Sequence, residues 1–158
     1  MKKLLVTSIL GTLMACTMVT VPQVDARSHQ TYAEPVTAIP MLTSLRQIAP
    51  NQLQVTYDQP VDQVKGIDPK NYWIQSTSEQ TPTNIATLGM NDSVNSTNSL
   101  TAANVSIQTT GSKGQSFILT FKQNISKGMA FKMIICFVTK PGAPLYTGDN
   151  GSAAFVGE

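Results

Sequence analysis

The side chains able to do covalent chemistry are few and widely separated. Acyl transfer by a Ser-His-acid set needs an imidazole inside the fold, and the single histidine, His29, stands near the start of the chain. A thiol nucleophile needs the same partner. Cys136 instead sits in the apolar run Phe131-Lys132-Met133-Ile134-Ile135-Cys136-Phe137-Val138, where it reads as a small buried apolar residue. Zinc requires three or four Cys, His or acidic ligands at short spacing, and the sequence has no such cluster. Asp58, Asp62 and Asp68 are near enough in sequence to suggest the paired carboxylates of glycoside hydrolysis or an oxygen-rich calcium site. Each, however, stands where a turn wants it: Asp58 ends a strand-like run, Asp62 follows Pro60-Val61, and Asp68 precedes Pro69. No catalytic residue and no cofactor is assigned, and the chain reads as a non-enzyme.

One metal pattern depends on processing. If Arg27 is the mature N-terminus, Arg27-Ser28-His29 places an amine, two backbone amides and an imidazole within reach of one ion. Four nitrogens in that order suit square-planar Cu(II) or Ni(II), which makes His29 the metal candidate. For binding by contact, the candidates are Tyr72, Trp73 and Tyr146, since exposed aromatic faces supply area at little entropic cost. Tyr72 and Trp73 are adjacent, so on a strand one faces in and the other out.

These residues need an address and a scaffold. Met1-Lys2-Lys3 followed by the uncharged Leu4–Ala15 is the basic start and apolar core of a secretory signal. The run is too diluted by Thr, Ser, Gly, Pro and Gln for a membrane span. Val24-Asp25-Ala26 favours cleavage after Ala26, giving a signal peptide over 1–26. Leu13-Met14-Ala15-Cys16 offers a rival lipobox in which Cys16 is acylated. Residues 27–40 carry two prolines and no apolar period, and read as an extended leader. Residues 41–158 are left for one domain, a size that suits a single core. The C-terminal residues show no Leu-Pro-x-Thr-Gly sorting signal, so covalent wall linkage is not expected.

Of the 158 residues, 13% are charged, about half the usual share. Thr, Ser, Gln and Asn supply a third of the chain instead. This excludes coiled coils and charge-rich bundles, and a formal charge of +2 gives nucleic acid no electrostatic footprint. Removing 1–26 takes away Lys2, Lys3 and Asp25 and leaves a nearly neutral domain with Cys136 alone, hence no internal disulfide.

Along the domain, Leu53-Gln54-Val55-Thr56-Tyr57 alternates apolar and polar, the period of a half-buried strand. Tyr72–Ile74, Val105–Ile107 and Ser116–Lys122 read likewise, and Ala153–Val156 reads as a final strand. Met129–Val138 is apolar on both faces, as in a central strand covered from both sides or lying mid-sandwich. Thr77–Ala103 reads as a long polar loop with one short strand over Ile85–Leu88, and small helical turns fit at Pro60–Gly66 or Ile125–Gly128. No long 3.6-residue period occurs. The expectation is all-β: an antiparallel sandwich of about seven strands.

The stretch Asn51-x-Leu53-x-Val55-Thr56-Tyr57-Asp58-x-Pro60-Val61-Asp62, followed by Asn71-Tyr72-x-Ile74, resembles the opening half of bacterial Ig-like domains found in S-layer and other Gram-positive surface proteins. Phe117–Phe121, Ile125–Phe131 and Gly142–Leu145 resemble the second half more loosely. The family usually has tyrosine where Phe131 stands, and Asp followed by Gly-Asn where this chain has Lys140-Pro141-Gly142-Ala143. The calcium site of such relatives is therefore not expected. The resemblance implies an exported, non-catalytic Ig-like module, secreted or held at the bacterial cell surface, with cell-wall polysaccharide or a surface protein as partner. The alternative reading is a small secreted protein that handles copper or nickel through His29, or that inhibits an enzyme.

Overall fold

The computed structural model of the chain describes residues 39–158; the expected signal peptide, the cleavage site after Ala26, Cys16 and nearly all of the leader lie outside them. Seven strands form two antiparallel sheets. β1 (Leu42–Ala49), β2 (Gln52–Tyr57), β4 (Val105–Thr110) and β5 (Ser116–Phe121) make one, in the order β1-β2-β5-β4. β3 (Tyr72–Ser76), β6 (Ala130–Cys136) and β7 (Asp149–Val156) make the other, in the order β3-β6-β7. The architecture is a β-sandwich. Among the described residues one helical turn, α1 (Gln63–Gly66), and a 3-10 turn at Pro69–Asn71 carry the chain from the first sheet to the second.

Strand alternation builds the core. In β2, Leu53, Val55 and Tyr57 are buried while Gln52, Gln54 and Thr56 face outward, and β5 repeats the pattern with Phe117, Leu119 and Phe121 inside. Phe131, Met133 and Ile135 of β6 approach from the opposite sheet, joined by Tyr72 and Ile74 of β3. Aromatic contacts brace each sheet from within: Tyr57 of β2 meets Phe117 of β5 edge-on at 5.9 Å between centroids, and Phe131 of β6 stacks on Phe155 of β7 at 5.4 Å. Burying each of these large side chains contributes about 1.5–3 kcal/mol.

Four readings of the sequence need correction. β1 was not expected, because bulges between Leu42 and Ser44 and between Gln47 and Ala49 break its two-residue period. β7 starts at Asp149 and not at Ala153. β6 is central, but only its odd-numbered residues are buried; Ala130, Lys132, Ile134 and Cys136 are half-exposed. Cys136 is thus not a core residue, although partial burial and then the nearby Asp149 carboxylate push its thiol pKa up. Within 77–103 the chain is ordered by contacts and not by strand pairing: Leu88 makes one parallel bridge to Gln75, and Leu100 N–H donates to the Tyr72 carbonyl at 2.8 Å. No helix among the described residues is long and apolar enough to cross a membrane.

Candidate functional site

The turn between the sheets fixes one end of the molecule. Asp62 caps α1, its side chain accepting from Lys65 N–H at 3.0 Å, and Asp68 caps the following 3-10 turn by accepting from Lys70 N–H at 3.0 Å. Pro69 sits inside that turn, where its missing N–H costs nothing. Asn71 closes the pair of turns by donating from its side chain to the Lys65 carbonyl at 2.8 Å. Asp58 lies apart from both, accepting from Met41 N–H at 2.9 Å. The three carboxylates are therefore used separately, and among the described residues no three His, Cys, Asp or Glu side chains gather as a metal site. His29 lies outside the described residues.

Tyr72 follows this turn and points into the core, with no exposed surface. Its hydroxyl donates to the Gly66 carbonyl at 2.6 Å and lies 3.1 Å from the Tyr57 hydroxyl. Burial pushes both phenols well above their ordinary range, aided at Tyr57 by the Tyr72 charge and opposed at Tyr72 by the Tyr57 hydrogen bond. The expected exposure of Tyr72 is corrected: a solvent-free residue held by a backbone carbonyl is a strut between sheet and turn.

Trp73 does face the other way, but it is covered too. Its indole N–H donates to both the Asn95 carbonyl and Asn98 Oδ1, each at 3.0 Å. Asn98 Oδ1 also accepts from Asn95 N–H at 2.9 Å, and its amide donates to the Ser93 carbonyl at 3.0 Å, so one side chain folds the loop 93–98 over the indole. Phe137 covers a second side, edge-on at 5.9 Å between centroids.

The surface feature is built on top of this. A groove of about 400 Å³ runs between the 65–71 turns and the segment 137–147, with Trp73 behind it, Lys65, Lys70 and Asp68 on one wall, and Phe137, Leu145 and Tyr146 on the other. Leu145 is 80% exposed and Phe137 37%, so two large apolar side chains meet solvent at one groove. Phe137 has φ +67°, a left-handed conformation that a bulky residue adopts only at a cost of about 1–2 kcal/mol. The Tyr146 hydroxyl donates to the Asp149 carbonyl at 3.0 Å and fixes the ring against its own loop. Of the aromatic candidates, Tyr146 reaches the groove surface, Trp73 backs it without exposing surface, and Tyr72 is absent from it. Phe137 and Leu145 were missed, because their exposure depends on where the loop folds and leaves no periodic trace.

The segment is held from below by Asn150, which is fully buried. Its Oδ1 accepts from Val138 N–H at 2.9 Å, and its Nδ2 donates to the carbonyls of Val138 and Pro40, both at 2.8 Å.

No known protein-family profile and no curated protein matches the chain. Among solved structures it is similar to the crystal structure of the S-layer protein rSbsC(31-844), with a TM-score of 0.51 at 15% identity over 75% of this chain. It is also similar to the N-terminal part of the bacterial S-layer protein SbsC, with a TM-score of 0.51 at 18% identity over 75% of this chain. It spans only 13% and 24% of those chains. At these identities the likeness is one of fold.

Proposed function

We propose that the chain is an exported, non-catalytic Ig-like sandwich module with a structural or adhesive role at the bacterial envelope. The observation that carries this reading is the fold shared with S-layer protein SbsC. A nearly neutral sandwich whose Cys136 is free suits a spacing or binding module, and fold alone does not supply chemistry. The carboxylates that catalysis would draw on, Asp62 and Asp68, are occupied as caps. Contact with the partner falls to the groove wall, where the exposed Leu145 and the half-buried Tyr146 lie beside two lysines.

Fractionation of the producing bacterium, with antiserum against the purified domain, tests the location. The protein is expected with the cell envelope or in the medium; confinement to the cytosol would sink the reading. Sedimentation of purified protein with isolated Gram-positive envelopes tests the contact. The variant Leu145→Ala/Tyr146→Ala is expected to lower the bound fraction severalfold, as loss of an aromatic and an aliphatic anchor does.

A further inference from the structure

The outer face of the four-stranded sheet is a second surface, and its composition follows from the register. Ser44 pairs with Thr56, Thr56 with Ser116, and Ser116 with Thr110, so one row across all four strands is made of hydroxyls. The next row reads Arg46, Gln54, Ile118, Gln108. A third places Gln52, Thr120 and Ser106 side by side. These residues alternate with the buried ones and are all half-exposed or exposed. Within the strands Arg46 is the single charge on the face; Asp58 and Lys122 continue the outward period only past the ends of β2 and β5.

The side chains are already ordered against one another. Gln52 Nε2 donates to Thr120 Oγ1 at 3.0 Å, and the Thr56 and Ser116 hydroxyls are 3.1 Å apart. A hydroxyl or carboxamide both donates and accepts, so the face offers both senses of hydrogen bond at the strand spacing of about 4.8 Å. That spacing is close to the length of one sugar unit along an extended glycan. Ile118, between Gln54 and Gln108, supplies one apolar spot of the size of a pyranose face.

From this we infer that the outer face of β1-β2-β5-β4 binds a neutral, hydroxyl-rich polysaccharide, with Ile118 under a sugar ring and Gln54 and Gln108 bonding its hydroxyls on either side. A protein partner fits less well, because protein interfaces centre on aromatic and apolar residues and are depleted in Ser. An anionic polymer finds only Arg46 within the strands, and Lys122 just past β5 offset by Asp58 past β2, to meet its charge. The inference rests on the exported-module reading, since such polymers lie outside the cell.

Native gel electrophoresis through uncharged soluble glucans, and sedimentation with insoluble cellulose and chitin, test it on the purified protein. Retention by at least one of these polymers is expected, and it should persist from about 0.05 M to about 1 M NaCl because no charge pairing is being screened. Gln54→Ala/Gln108→Ala should weaken retention about tenfold, the effect of losing two hydrogen-bonding amides, while Lys132→Ala on the opposite sheet should leave it unchanged. Both substitutions are at the surface, and unaltered circular dichroism and thermal midpoint certify the fold. Retention lost in salt, or equal retention by the double variant, overturns the proposal. So does a concentration-dependent dimer, seen by sedimentation, that the double variant abolishes. Absence of retention on every neutral polymer, with envelope location intact, overturns it while leaving the module reading standing.

Discussion

The Tyr57–Tyr72 pair concentrates much of what single side chains do here. Burial holds both phenols protonated in the folded state beyond their ordinary value near 10. Above about pH 10 the unfolded chain releases protons that the folded one keeps, so stability is flat through neutrality and declines as pH rises past that value. Urea midpoints measured at increasing pH are expected to follow this course, and Tyr57→Phe/Tyr72→Phe is expected to flatten it. At neutral pH, Tyr72→Phe alone should cost about 1–3 kcal/mol, because the Gly66 carbonyl loses its donor in a dry site. A loss under a few tenths would mean that water replaces the phenol. The inward direction of one of Tyr72 and Trp73 was legible from strand geometry; the covering of the other was not. Trp73 is capped by Asn95 and Asn98, polar residues more than twenty positions away, and polar loop residues carry no periodicity from which such a contact is read.

At the scale of elements, the segment after β6 is where the fold is under tension. Phe137 adopts a left-handed backbone so that its ring can lie against Trp73. Truncation should therefore separate backbone from side chain. Phe137→Gly is expected to be more stable than Phe137→Ala by about 1 kcal/mol, since both lose the ring but only glycine sheds the strain; calorimetry of the two variants decides it. Asn150→Ala removes three hydrogen bonds that join β7 to the end of β6 and to Pro40. A cost of about 2–4 kcal/mol is expected, as for a buried polar network left half satisfied, and chemical denaturation is the measurement. Most strands were readable because β2 and β5 keep strict alternation and β4 keeps it over Val105–Gln108. β1 escaped because its bulges put Leu42 and Leu45 three apart yet on the same buried side. The first half of β7 escaped because Asn150-Gly151 has the look of a turn, whereas the asparagine is a buried strut and Gly151, at φ +107°, lets the strand pass close to Leu42.

For the whole molecule, the core draws on both sheets, and among the described residues no disulfide supports it. The signal-like start of the sequence predicts a processing step that sets what is attached to it. Intact mass of the exported protein should correspond to a chain starting at Arg27; a mass matching an acylated start at Cys16 would replace a soluble leader with a lipid anchor and remove the Arg27-Ser28-His29 pattern. The path of the two terminal strands adds a mechanical consequence. Pro40 is fastened beside Asn150 at one end of β1, whereas Glu158 is fastened to Gln47 near the other, its N–H donating to Gln47 Oε1 at 3.0 Å. β1 and β7 thus run side by side in the same direction, and the chain enters and leaves at opposite poles about 25 Å apart, the length of an eight-residue strand. Pulling on the two ends would drag β1 and β7 lengthwise in opposite senses and load their rows of hydrogen bonds in shear, all at once, instead of unzipping them one by one. A module threaded this way would resist stretching along its long axis far better than its modest size suggests.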